Sequence, residues 1–459
     1  MRAAQALEAV IRERDSESVV KTVDGLEYAN HYFNRMVVDG YKISATKFPK
    51  MYGMIYHASN TDTSVYKLMQ KANSHFAKKF IPLLAEFKPD IIVSTHSFMS
   101  IMISRLIEKG ITNIPLISIV TDFAPHASYI NPCVSEYVVS SIQMVDEFEK
   151  LGVDRNKIHP VGIPIAPVFF EKDEKKEEHL AALGFDPALQ TVLVMAGSFG
   201  VTDILKIYEN INEIELDFQI IVITGKNQKL FDAFNSILSC NQAYRAGEAQ
   251  PNFDDEKEPS RKETKFNVTK KTKLIYFTDE VEKYMHISDL IITKPGGLTV
   301  TESLASCLPM ALFKGIPGQE TDNTEYLCNN NLAISIKKNT AADVVYQLLK
   351  YPDRLNSMKE SCSRLNNKDS AYKVYEIIED SVNSMTEPVK LPSADDTFED
   401  TNDGDEEEIY TEFSEVFGEY DDKLDELEES EWSGYFEEKM HHLKDKMKKE
   451  FKKINTKFQ

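Results

Sequence analysis

Two glycine-bearing turns set the chemistry this chain could perform. Gly197, Ser198 and Gly200 follow the apolar run QTVLVM, and Gly296 and Gly297 follow the run DLIIT. Glycine lets the backbone approach an anion closely, and the unpaired amides opening the next helix carry partial positive charge. Taken singly, each reads as a phosphate cradle or as a plain tight turn, and MAGSFG departs from the dinucleotide fingerprint. Two such turns in one sheet could flank a pyrophosphate. Glu302 follows Gly297 within the first turns of a helix beginning near Leu298. A carboxylate there can accept both vicinal hydroxyls of a ribose, or simply be an acid favoured near a helix N-terminus. The loop GIPGQETDN then supplies Gln319, Glu320 and Asn323. Clustered amides and acids suit the hydroxyls of a sugar, so the combination points to a nucleotide sugar more than to a dinucleotide.

A second group lies earlier, in SIVTDFAPHASY. Asp122 ends an apolar run, and His126 follows on a loop, where an imidazole could take a hydroxyl proton or orient an acceptor. The alternative for His126 is a surface histidine on a polar loop. His96, at the end of DIIVSTH, is a weaker candidate. No aspartate pair with metal-ligand spacing accompanies the donor motifs, and no metal is expected.

The elements that must position these residues alternate between continuous apolar runs and helical stretches, as in a buried parallel sheet. A chain of 459 residues exceeds what a single core usually supports, so two doubly wound domains facing a cleft are expected. Residues 1–165 form the first, beginning on the helix-forming stretch MRAAQALEAVIRER and closing on the proline-rich linker VGIPIAPVFF. Residues 166–384 form the second, with a hydrophilic insertion over 243–273 and a closing helix over 369–381. Ligands in such sheets sit beyond the carboxyl ends of the strands, where the glycine turns fall.

The tail divides in two. Residues 385–434 are acidic, poor in large hydrophobes and expected to be disordered. Over 435–459, Phe436, Met440, Leu443, Met447, Phe451, Ile454 and Phe458 form one apolar stripe on a lysine-rich helix, which could lie on an anionic membrane, dock on its own domain or join a coiled coil. Most of the net charge of −21 sits between 395 and 438, where 21 acids face one lysine; the remainder is close to neutral, so the overall charge says little about partners. Nucleic acid is not expected. The five cysteines, at 133, 240, 307, 328 and 362, show no metal or redox spacing and suggest reducing cytosol. No run reaches the ~18 apolar residues of a spanning helix, so membrane contact is expected to be peripheral.

The stretch from MAGSFG through KPGGLTVTES to PGQETDN resembles the donor-binding domain of glycosyltransferase family 28, in the branch of diacylglycerol glucosyltransferases and monogalactosyldiacylglycerol synthases. The resemblance covers about residues 1–380. It implies a GT-B-type fold, with the acceptor in the first domain and the donor in the second. It implies transfer of a hexose from UDP-glucose or UDP-galactose to diacylglycerol, without cofactor. By it Glu302 holds the ribose, Gly197 to Gly200 with Gly296 and Gly297 the diphosphate, and Gln319, Glu320 and Asn323 the sugar and its surroundings. Phe277 and Val281 would carry the uracil contacts, largely through backbone. Thr121, Asp122, His126 and Tyr129 match the family's acceptor-side motif, with Tyr129 where the family usually has tryptophan; Asp122 and His126 are the candidate bases. The family's first strand and its glycine-histidine loop, which precede the helix RAAQAL, have no counterpart ahead of Met1. A start placed too late, or a degraded gene product, is the expected reason.

The acceptor implies attachment to the inner face of the membrane, with the aromatic and methionine residues between Tyr32 and Tyr56 as candidates for a lipid-facing patch or, equally, for helix core packing. A polyprenyl-linked sugar acceptor and a non-catalytic nucleotide-sugar or membrane binder are the alternatives.

Overall fold

The computed structural model describes residues 1–29, 75–172, 175–195, 201–245, 268–315, 318–365 and 367–397. Gly197, Ser198 and Gly200, the run between Tyr32 and Tyr56, most of the 243–273 insertion, the acidic tail from 398 and the basic stretch 435–459 lie outside these residues.

Helix α1 (Arg2–Arg14) buries Ala3, Ala6, Leu7 and Val10, one stripe at helical spacing. Its outer face carries the Glu8–Arg12 pair at 2.8 Å. The other elements that matter below follow in chain order. They are α2 (Gly25–Ala29), α3 (Ile81–Phe87), β1 (Ile92–Ser94), α4 (Ser97–Glu108), β2 (Leu116–Ile119), β3 (Glu136–Val138), α5 (Ile142–Lys150), β4 (Ile158–His159) and α6 (Lys176–Ala182). The second half contains β5 (Thr191–Met195), α7 (Val201–Asn212), β6 (Gln219–Ile223), α8 (Gln228–Arg245), β7 (Lys271–Ile275), α9 (Val281–His286), β8 (Leu290–Thr293), α10 (Gly297–Ala305) and β9 (Met310–Phe313). It closes with α11 (Gln319–Asn329), β10 (Ala333–Ile336), α12 (Ala341–Lys350), α13 (Pro352–Arg364) and α14 (Ser370–Asn383).

A four-stranded sheet has the order β1-β2-β3-β4, and a six-stranded sheet the order β10-β9-β8-β5-β6-β7. Every neighbouring pair in the larger sheet is parallel. Its interior strands β5, β6, β8 and β9 are largely apolar because both faces are covered, whereas the edge strand β7 carries Lys271 and Lys273. Val192 and Val194 turn to one core and Leu193, between them, to the other, as the two-residue period of a strand requires. Truncating Leu193, which is fully buried, to alanine should cost roughly 2–5 kcal/mol.

The chain winds outward from β5 through β6 to β7, then returns to β8 on the other side of β5. That reversal is a topological switch point, and ligands of open α/β sheets bind at such points. In register, Met195 lies opposite Thr293 and Thr293 opposite Leu312, so the carboxyl ends of β5, β8 and β9 lie side by side.

The described residues fall into two compact units. One comprises 1–22, 120–125 and 138–379; the other comprises the described parts of 23–119, 126–137 and the chain from 380 onward. In the second unit, residues expected to open the disordered tail are held in place. Thr112 Oγ1 donates to the Lys390 carbonyl at 2.7 Å and Asn113 Nδ2 to the Pro388 carbonyl at 3.2 Å.

Candidate functional site

Helix α10 starts at the switch point, with Gly296 as its N-cap residue and no side chain capping it. A Cβ on Gly297 would stand 2.0 Å from the Thr121 carbonyl oxygen and 3.4 Å from Asp122 Oδ1. Gly297 is therefore required by the close approach of the Thr121–Asp122 backbone, which brings the Asp122 carboxylate to the start of α10. Gly296 is under no such pressure, since its nearest neighbour is a Lys294 side-chain carbon at 3.7 Å.

Asn323, in the second turn of α11, ties this arrangement together. It is fully buried; its Oδ1 accepts from the Phe123 amide at 2.8 Å, and its Nδ2 donates to the Pro295 carbonyl at 3.1 Å and to Asp122 Oδ1 at 3.4 Å. An amide side chain with both ends engaged inside the protein holds the 121–123 segment against the loop after β8. That is a different use from the sugar contact expected of it.

Glu302 lies on α10 with its side chain only 3% exposed, and Arg2, 52% exposed, reaches it. Arg2 Nη1 donates to both carboxylate oxygens, at 2.8 and 3.1 Å. Burial pushes the Glu302 carboxyl above the usual carboxylate range, while the Arg2 guanidinium pulls the other way. Arg2 went unnoticed in the sequence, although a cation in the first turn of a helix runs against the helix dipole and was a visible signal.

Glu320, in the first turn of α11, is also buried, and its Oε1 accepts from Lys294 Nζ at 2.9 Å. A Cβ on Gly315 would stand 2.5 Å from Glu320 Oε2 and 2.9 Å from Pro295 Cδ. Glu320 thus packs the loops after β8 and β9 together. Gln319 beside it is half-buried and makes no side-chain hydrogen bond among the described residues. It follows Gly318, whose φ of 96° lies in the left-handed region that glycine enters at little cost.

Phe277, just beyond β7, is exposed, with Lys226 Nζ 4.9 Å from its ring centroid. Phe231 meets Tyr276 edge-on at 5.4 Å. Val281 is turned into the core beneath α10, so only its backbone is available to a ligand.

In the other unit, His126 is buried rather than a surface residue. Its Nδ1 accepts the Ser128 amide at 3.1 Å and lies 2.7 Å from Ser128 Oγ, capping the turn Ala127–Tyr129. Accepting an amide through Nδ1 puts the proton of the neutral ring on Nε2, which leaves the ring poorly set to collect another. His96 is exposed and caps α4. Among the described residues no group of three or more His, Cys, Asp or Glu could hold a metal ion, and no helix is long and apolar enough to cross a membrane.

Residues 1–165 match the profile of monogalactosyldiacylglycerol (MGDG) synthase, and residues 191–380 match the glycosyltransferase family 28 C-terminal domain. The chain belongs to glycosyltransferase family 28. Among curated family 28 relatives, a processive diacylglycerol beta-glucosyltransferase of Staphylococcus epidermidis is 31% identical over 282 residues, 61% of this chain and 64% of that protein. The enzyme of the same name from Staphylococcus saprophyticus is 28% identical over 351 residues, 74% of this chain and 77% of the other. The chain thus spans just under two thirds of the length of the first of these relatives. A crystal structure of UDP-N-acetylglucosamine 2-epimerase superimposes with a TM-score of 0.50 at 13% identity, covering 87% of this chain and 96% of the other. The fold of this family 28 chain is accordingly the two-domain, Rossmann-like α/β arrangement of the GT-B class.

Proposed function

We propose that the chain transfers a hexose from a uridine diphosphate sugar to the free hydroxyl of diacylglycerol. The observation that carries this reading is Glu302, a buried carboxylate on the helix that opens at the switch point, where a ribose diol would meet it. In this reading the uncapped start of α10 receives the diphosphate and Gln319 meets hexose hydroxyls. The exposed Phe277 and the backbone near Val281 border the uracil. Gly197, Ser198 and Gly200, which follow β5 in the sequence, are assigned to the same diphosphate.

The lipid hydroxyl attacks the anomeric carbon as the bond to the β-phosphate oxygen breaks. The electron pair leaves on UDP, whose added charge the amides of α10 stabilise. Asp122 takes the hydroxyl proton. It is favoured over His126 because its carboxylate stands at the start of α10, whereas the His126 ring is committed to its own turn. Diacylglycerol stays in the bilayer, so the protein works at the inner face of the membrane, with the 32–56 run and the basic 435–459 stretch as its contacts. The name of the staphylococcal glucosyltransferases supports glucose as donor, and that of the matching synthase family supports galactose.

The test is transfer from labelled UDP-glucose and UDP-galactose to diacylglycerol in anionic liposomes by the full chain. Lipid-borne label that disappears in Asp122→Asn, with UDP affinity retained, is expected. No label with either sugar while UDP still binds would overturn the reaction, and label that survives Asp122→Asn would overturn the base.

A further inference from the structure

Resting on the nucleotide reading above, we infer that Arg2 is a donor-binding residue that exchanges its carboxylate partner, Glu302, for the diphosphate of the nucleotide. Four observations carry it. Arg2 Nη1 contacts both oxygens of Glu302, the same two atoms that a ribose diol would use, so a bound nucleoside competes with the guanidinium for them. The guanidinium is half-exposed, and its remaining N–H groups make no hydrogen bond among the described residues, so withdrawal breaks nothing else. Glu302 is five residues along α10 from Gly297, about 7.5 Å of helix rise. An arginine side chain is of comparable length, and a turn of it toward Gly297 is what the exchange requires. Finally, Arg2 opens α1, whose own N-terminus is electropositive, and among the described residues Glu302 is the acid that pairs with it.

An arriving nucleotide replaces both halves of this pair at once. The ribose hydroxyls donate to Glu302, and the diphosphate oxygens accept from the guanidinium. Neither charge is left bare, which matters because an uncompensated buried carboxylate is costly. The planar, five-donor geometry suits phosphate oxygens better than a lysine ammonium does.

The experiment compares UDP with uridine, which carries the ribose and base but no phosphate, on the full chain, each in competition with a labelled UDP probe. Arg2→Ala should weaken UDP about tenfold, the loss of one charge-assisted hydrogen-bonding partner, and leave uridine unchanged or tighter, because its competitor for Glu302 is gone. Arg2→Lys should recover part of the UDP loss. A role limited to packing α1 would move the two ligands by the same factor, and that result, in either direction, would overturn the inference. Glu302→Ala, in contrast, should weaken both ligands together. If the unaltered chain binds neither UDP nor uridine, the nucleotide reading itself falls and the inference with it.

Discussion

Helices α10 and α11 leave neighbouring strands of one sheet, and each carries a buried glutamate, yet the two acids are neutralised from different distances. Glu320 is paired with Lys294, on the loop just before α10, and fits against Gly315 and Pro295. Its surroundings are local and tight, as befits an acid that fixes loop geometry. Glu302 is paired with Arg2, 300 positions away along the chain, through a half-exposed guanidinium. A partner that reaches in from solvent can leave. The difference separates an acid enclosed by its own loops from one whose partner is open to solvent.

The largest expected effect tests that division directly. Glu302→Ala should weaken UDP by roughly a hundredfold, two hydrogen bonds to a charged group, whereas Glu320→Gln should change UDP affinity less than about threefold while lowering the melting temperature. Equal losses in both variants, measured by calorimetric titration, would erase the distinction. Next come the glycines on the two sides. Gly297→Ala forces a Cβ onto the Thr121 backbone and should cost about 2–3 kcal/mol, as overpacking typically does. Gly315→Ala, which presses mainly on the Glu320 side chain, should cost less, and Gly296→Ala under about 0.5 kcal/mol. Chemical denaturation of the three variants ranks them.

The smallest effect is in pH. Because burial raises the Glu302 carboxyl, the folded protein holds that proton more firmly than the unfolded chain. Stability from this group is therefore present below the ordinary carboxylate value of 4.5 and is lost as pH rises through the raised value. Glu302→Gln should flatten that part of the melting-temperature profile. Arg2→Ala should extend the decline to higher pH, since the guanidinium is what restrains the shift.

Much of this arrangement was legible in the sequence, for physical reasons that also mark where legibility ends. The interior strands of the six-stranded sheet read as continuous apolar runs because both faces are buried. Gly296, Gly297 and Glu302 could be placed because a strand, a turn and a helix start follow one another within a few residues. Asn323 could not be placed, since its partners are the amide of Phe123 and the carboxylate of Asp122, some 200 positions away. No periodicity encodes such a contact. Val281 looked available for a base but supplies a core side chain, because a six-residue helix with Met285 on the same stripe has to bury that stripe somewhere. His126 stood on a polar loop, and only the fold revealed that it caps its own turn.

The threading of the chain has a consequence for anyone who would take the molecule apart. The backbone passes between the two compact units at residues 22, 119, 125, 137 and 379. Neither unit is a continuous stretch, so no single cut releases one of them with its sequence intact. A library of fragments divided at the proline-rich linker would sever β5 to β10 from the helix that carries Arg2 and from the segment that carries Asp122. Each half would then expose apolar surface that the other normally covers. Chimaeras that exchange acceptor and donor portions between relatives should therefore be spliced at several matched points, carrying α1 and residues 120–125 along with the sheet they serve.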